Sequence, residues 1–181
     1  MRVLRSCVMR PATYHLQLPA ALLERGFWIY VCAIDSPRGE LLYVGVTGDS
    51  SSTNAQSPFN RFGRHLDTNK ANNQVRTHLR KRGLSPEAVR SFELVAHGPL
   101  FAEARDDLPL HRERRDVLAG LERALTEELR EKGYTVLNKV SATATPDRER
   151  WAQVRAAFAQ RFPSLDAAPA PGETRPRLPA P

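Results

Sequence analysis

Two tyrosines, an arginine, a histidine and one misplaced carboxylate carry the chemistry that this sequence offers. Tyr30 and Tyr43 lie in the short apolar runs Trp28-Ile29-Tyr30-Val31 and Leu42-Tyr43-Val44-Gly45. Arg61 and His65 follow four residues apart, the spacing that stacks two side chains on one helix face. A phenol, an imidazole and a guanidinium close together can bind a phosphate and move a proton, which is what cleaving a phosphodiester requires. Glu122 adds a carboxylate in an unexpected place. The stripe Leu118, Leu121, Leu125 and Leu129 predicts a long buried helix face, and Glu122 falls only about 40° from Leu118 at ~100° per residue. Glu113, Glu127 and Glu131 fall on or near the opposite face. An ionised carboxylate on the apolar side is costly unless it is paired or holds a metal.

The elements that must position these groups are readable from local pattern. Residues 27–34 and 41–46 are rich in β-branched and aromatic side chains and are separated by Ser36-Pro37-Arg38-Gly39, which predicts a hairpin. A four-residue loop between Asp35 and Glu40 sets Tyr30 opposite Gly45 and Cys32 opposite Tyr43, all on one sheet face. Gly45 then leaves open space beside the Tyr30 ring. A slip of one residue would put the two rings on opposite faces. After a Ser/Thr/Asn-rich loop over 48–56, Ser57-Pro58 supplies a cap and a first-turn proline for a short helix with Phe62 and Leu66 inward. A basic helix is expected from about Asn73 to Arg82 with Val75 and Leu79 inward, ending at Gly83. Ser85-Pro86-Glu87 starts a short turn, and 92–96 reads as a third strand ended by Gly98-Pro99.

The long helix is expected from near Arg112 to Gly133, followed by the short apolar stretch Val136-Leu137-Asn138. Ser141 to Pro146 reads as a linker, and Thr145-Pro146 as the cap of a final helix bearing Trp151, Val154, Phe158 and Phe162. The fold class is therefore α+β: a small, mostly antiparallel three-stranded sheet flanked by helices, plus a C-terminal helix. The expected divisions are a lead-in at 1–26, with a short helix between Pro19 and Arg25, one domain at 27–140, linker and helix at 141–162, and a tail at 163–181. That tail holds six of the fourteen prolines and few large apolar residues, so it is expected to be disordered.

A chain of 181 residues with a net charge of +7 suits one domain with extensions. The charge is uneven. Residues 60–90 hold Arg61, Arg64, Lys70, Arg76, Arg80, Lys81, Arg82 and Arg90 against only Asp67 and Glu87, a field that attracts phosphate backbones. Cys7 and Cys32 are too few and too far apart for a metal knuckle, and Cys32 reads as a buried free thiol. His15, His78, His97 and His111 lack metal-ligand spacing and read as structural or surface residues. No run approaches the ~20 apolar residues of a membrane span, so a soluble protein without membrane contact is expected, cytoplasmic and open to association with the nucleoid.

In order and spacing, Tyr30, Tyr43-Val44-Gly45, Arg61, His65, Glu122 and Asn138 resemble the GIY-YIG nuclease domain over about residues 27–138. Trp28-Ile29-Tyr30 stands for the first motif, with tryptophan in place of its glycine, and Tyr43-Val44-Gly45 for the second. The resemblance implies a metal-dependent endonuclease whose catalytic residues are Tyr30, Tyr43, Arg61, His65, Glu122 and Asn138. It implies that Glu122 holds one divalent cation, Mg²⁺ or Mn²⁺, and that Arg61 clamps the scissile phosphate. Tyr30 would take the proton from water, helped by His65. Tyr43 would contact phosphate or complete the hydrogen-bond network, and Asn138 would orient the site through its amide. Arg64, Arg76, Arg80, Lys81 and Arg82 are the candidates for holding the nucleic acid, expected to be double-stranded or branched DNA.

Taken singly, each residue has a plainer reading. A strand tyrosine is usually a core aromatic, an Arg/His pair a solvated helix face, and an asparagine after a helix a turn residue. Two other functions remain open at this point: a non-catalytic nucleic-acid-binding module on the same scaffold, and a protein partner engaged by the C-terminal helix or tail.

Overall fold

The computed structural model describes residues 11–69 and 73–166; Cys7, Lys70 and the proline-rich tail from 167 onward lie outside them. The architecture is α+β, a three-stranded antiparallel sheet with four helices. The hairpin forms as its turn chemistry dictates. Strands β1 (Phe27–Ser36) and β2 (Gly39–Val46) meet at a turn where the Ser36 hydroxyl donates to the Gly39 carbonyl at 2.6 Å. Gly39 takes φ +99°, a conformation that glycine adopts freely. The register pairs Tyr30 with Gly45 and Cys32 with Tyr43, as the loop length requires.

The space beside Gly45 is filled. A methyl group there would lie 2.5 Å from the Tyr30 hydroxyl oxygen and 2.6 Å from Cζ, so the Tyr30 ring lies across β2 over the missing side chain. Gly45→Ala should therefore lower thermal stability by about 1–3 kcal/mol through overpacking, displacing the Tyr30 ring. A melt indistinguishable from that of the parent would refute this.

Strand β3 (Ser91–Phe101) pairs with β1, giving the order β2-β1-β3. It runs beyond the expected stop at Gly98-Pro99. An edge strand tolerates a proline because its outer amides need no partner, and the pairing shifts register opposite Phe27 and Ile29.

Both sheet faces are covered. Phe27, Ile29, Val31, Leu42 and Val44 pack with buried residues of the long helix α3 (Leu108–Glu131) and the final helix α4 (Arg148–Ala159). Tyr30, Cys32, Ile34, Leu41 and Tyr43 face the other layer, with α1 (Pro58–Leu66) and α2 (Gln74–Lys81). Cys32 is a free thiol whose pKa is pushed up to about 12 by burial. Val75 and Leu79 of α2 point inward as expected, and a 3-10 turn at Ala20–Leu23 replaces the lead-in helix.

Helix α3 starts a turn before Arg112, because the Asp107 carboxylate accepts from the Leu110 amide at 2.9 Å. Helix α4 is likewise capped by Asp147, at 2.8 Å from the Arg150 amide, rather than by Thr145-Pro146. Its apolar residues Val154 and Phe158, with Phe162 and Leu165 beyond, are fully buried in the first layer. The tail expectation is thus corrected for residues 163–166, where a 3-10 turn at Pro163–Leu165 seats Leu165 in the core. The apolar face of α4 packs inside the domain.

Candidate active site

The Ser57 hydroxyl accepts from the Asn60 amide at 3.3 Å and Pro58 opens the first turn, which fixes where α1 begins and so where Arg61 and His65 point. His65 is buried between the two tyrosines: its ring centroid is 6.0 Å from that of Tyr30 and 5.0 Å from that of Tyr43. The Tyr30 hydroxyl lies 2.6 Å from Nε2 of His65. Burial pushes the Tyr30 phenol well above 10, with the Tyr43 charge adding to the effect and Arg61 opposing it. Burial raises Tyr43 as well.

A cleft of about 450 Å³ opens at the outer edge of β2, bordered by Tyr43, Asp49, Arg61, His78, Glu122 and Asn138 among others. Its groups come from both layers, since Arg61 and His78 ride on α1 and α2 while Glu122 reaches in from α3. Burial pushes the Glu122 carboxyl up to about 8, and the negative charge of Asp49 pushes the same way against the pull of Arg61. Glu122 keeps a partial solvent face through the cleft mouth and makes no hydrogen bond or ion pair with any described residue. Arg61 is ion-paired with Asp49 through one terminal nitrogen, while its buried Nε has no hydrogen-bond partner.

Asn138 is tied to β2 through its side-chain amide. Its amide donates to the Val44 carbonyl at 2.8 Å and accepts from the Val44 amide at 3.1 Å. These two bonds extend the parallel bridge between Leu42 and Val136 and close the β2 edge beneath the cleft. Another cavity of about 360 Å³, beside Asp116 and Thr143, gathers no comparable set of groups.

The structure thus places Tyr43, Arg61, Glu122 and Asn138 on one cleft, with Tyr30 and His65 directly behind it. Tyr30 is fully buried with a raised pKa, and its hydroxyl faces Arg61 as well as His65. Sequence reasoning misses Asp49 and His78. Asp49 is hidden in a polar loop where it is the only acid, and His78 shares the α2 face of Gln74, which also borders the cleft.

The basic residues divide into two groups. Arg76 is engaged, donating to the Leu66 carbonyl at 3.1 Å and to Glu87 at 2.8 Å. Arg80, Lys81 and Arg82 are exposed and Arg64 is half-buried. Among the described residues no group of three His, Cys, Asp or Glu side chains forms a metal cluster, and no helix is long and apolar enough to cross a membrane. Comparison with protein-family models, with curated proteins and with solved structures finds no match.

Proposed function

We propose that this chain is a metal-dependent endonuclease of the GIY-YIG type, hydrolysing phosphodiester bonds in nucleic acid, with double-stranded or branched DNA as the substrate. The observation that carries this reading is the meeting of Arg61 and Glu122, from opposite sides of the sheet, beside Tyr43 in one open cleft. An enclosed carboxylate without a protein partner is a costly arrangement in a stable fold. A hard divalent cation offsets that cost, so Glu122 fits a site for Mg²⁺ or Mn²⁺ completed by water and substrate oxygens. Such a cation, when bound, supplies charge neutralisation at the phosphate and the departing oxygen.

The chain's own groups do the rest. Arg61 binds the scissile phosphate through its fork, exchanging Asp49 for a phosphoryl oxygen. Tyr43, held protonated by burial, donates a hydrogen bond to a phosphoryl oxygen. The Tyr30–His65 pair keeps α1 and its arginine in register with the sheet, and Asn138 fixes the β2 edge. Exposed Arg80, Lys81 and Arg82 offer a phosphate-docking surface.

A supercoiled plasmid incubated with the protein and Mg²⁺ tests the reading: nicking that EDTA stops supports it. The alternative, a binding module without catalysis, draws on the ion pair that already occupies Arg61. It predicts salt-sensitive DNA binding, weakened by neutralising Arg80, Lys81 and Arg82, with no nicking under any metal condition.

A further inference from the structure

Helix α2 turns two faces to the protein. Val75 and Leu79 are fully buried in the sheet layer, while Gln74 and His78 border the cleft. Lys81 continues that second face about one turn further on. The His78 imidazole is half-buried, its ring centroid 5.9 Å from that of Tyr43. It makes no hydrogen bond with any described residue.

The other acceptors at this place are less suited. A carboxylate is ordinarily a weaker base than an imidazole, which disfavours Asp49 once Arg61 turns to phosphate, and the fully buried Tyr30 has its hydroxyl on His65. Tyr43 is held protonated, and Glu122 is the carboxylate assigned to the cation. We propose that His78 is the general base that activates water for phosphodiester hydrolysis, an inference that rests on the nuclease reading above.

In this step the water oxygen forms a bond to phosphorus and its proton passes to an imidazole nitrogen of His78. The ester bond to the departing sugar oxygen breaks, and that oxygen takes a proton from solvent in the open cleft. The imidazolium then returns its proton to water. Burial, aided by the positive charges of Lys81 and Arg82, lowers the His78 pKa from 6.5, so the ring is neutral and accepting at pH 7. The charged and titratable groups around it are Tyr43 of β2, Asp49 and Arg61, Glu122 of α3, Lys139 beyond Asn138, and Lys81 and Arg82 on its own element.

The test is the pH profile of kcat and kcat/KM for Mg²⁺-dependent cleavage of a short labelled duplex by the full chain, its His78→Gln variant and its His78→Ala variant. The parent should show an ascending limb below pH 6.5 that coincides with the His78 titration followed by NMR. His78→Gln should lower kcat by about 100-fold or more, lose that limb and leave KM for the duplex nearly unchanged. Added imidazole should restore part of the rate to His78→Ala. A His78→Gln protein that cleaves at the parental rate, or that keeps the limb, overturns the assignment and leaves the nuclease reading standing. A parent that does not cleave overturns both.

Discussion

Glu122→Gln should melt at a higher temperature than the parent at pH 8.5 and should lose Mg²⁺-dependent cleavage by about 1,000-fold or more. The two effects have one origin. The Glu122 carboxyl moves from 4.5 to about 8 on folding, so the folded state binds the proton more tightly than the unfolded chain does. Stability therefore falls as pH rises through this interval, and the whole penalty is present above about pH 8. A tenfold gain in proton affinity is worth about 1.4 kcal/mol. Solvent entering the cleft screens part of this, so a penalty of about 2–4 kcal/mol is expected.

Glutamine keeps the shape and removes the ionisation. The gain should be about 5–10 °C at pH 8.5 for a domain of this size and should vanish at pH 4, where glutamate is protonated in the folded state and largely so in the unfolded one. Mg²⁺ should raise the melting temperature of the parent at pH 8.5 and leave the variant unmoved. Calorimetry across this pH range, with and without Mg²⁺, checks each sign. Equal melting curves at pH 8.5 would refute the buried-charge account, and cleavage surviving in the variant would refute the metal assignment.

Arg61→Lys should reduce cleavage by about 100-fold although the charge is conserved, because an ammonium cannot present two parallel donors to a phosphate. Arg61→Ala should cost more and should also destabilise the fold, since it removes the positive charge facing both Asp49 and Glu122. Asp49→Asn acts in the opposite direction. Relieved of an ion pair worth roughly 1 kcal/mol, the guanidinium should hold duplex DNA about fivefold more tightly in EDTA, measured by fluorescence anisotropy at low salt. Weaker binding by Asp49→Asn would show that the carboxylate positions Arg61 rather than competing for it.

Features set by neighbouring residues can be read directly from the sequence. The hairpin register follows from the Ser36–Gly39 loop length, the start of α1 from Ser57-Pro58, and the inward leucines of α3 from their spacing. Glu122 stands out for the same reason, as a charge inside a regular stripe. What depends on packing between distant elements is not legible. Asp49 enters the cleft because its loop folds back toward α1, and His78 because α2 seats Val75 and Leu79 on the sheet. The depth of Tyr30 depends on how α1 covers the strands, so the sequence suggests its chemistry but not its access to water. Leu165 looks like part of a polar tail because one leucine cannot reveal a core built by residues far away along the chain.

The Tyr30 ring lying over Gly45 has a consequence for how this site can change over time. The two positions share a single volume, so neither can be altered freely while the other stays fixed. A side chain at 45 becomes tolerable only when the residue at 30 shrinks, and shrinking it removes the hydroxyl that reaches His65. In any set of related chains these two positions should therefore vary as a linked pair. An aromatic at 30 can also outlast the chemistry, because the hole over the glycine must still be filled.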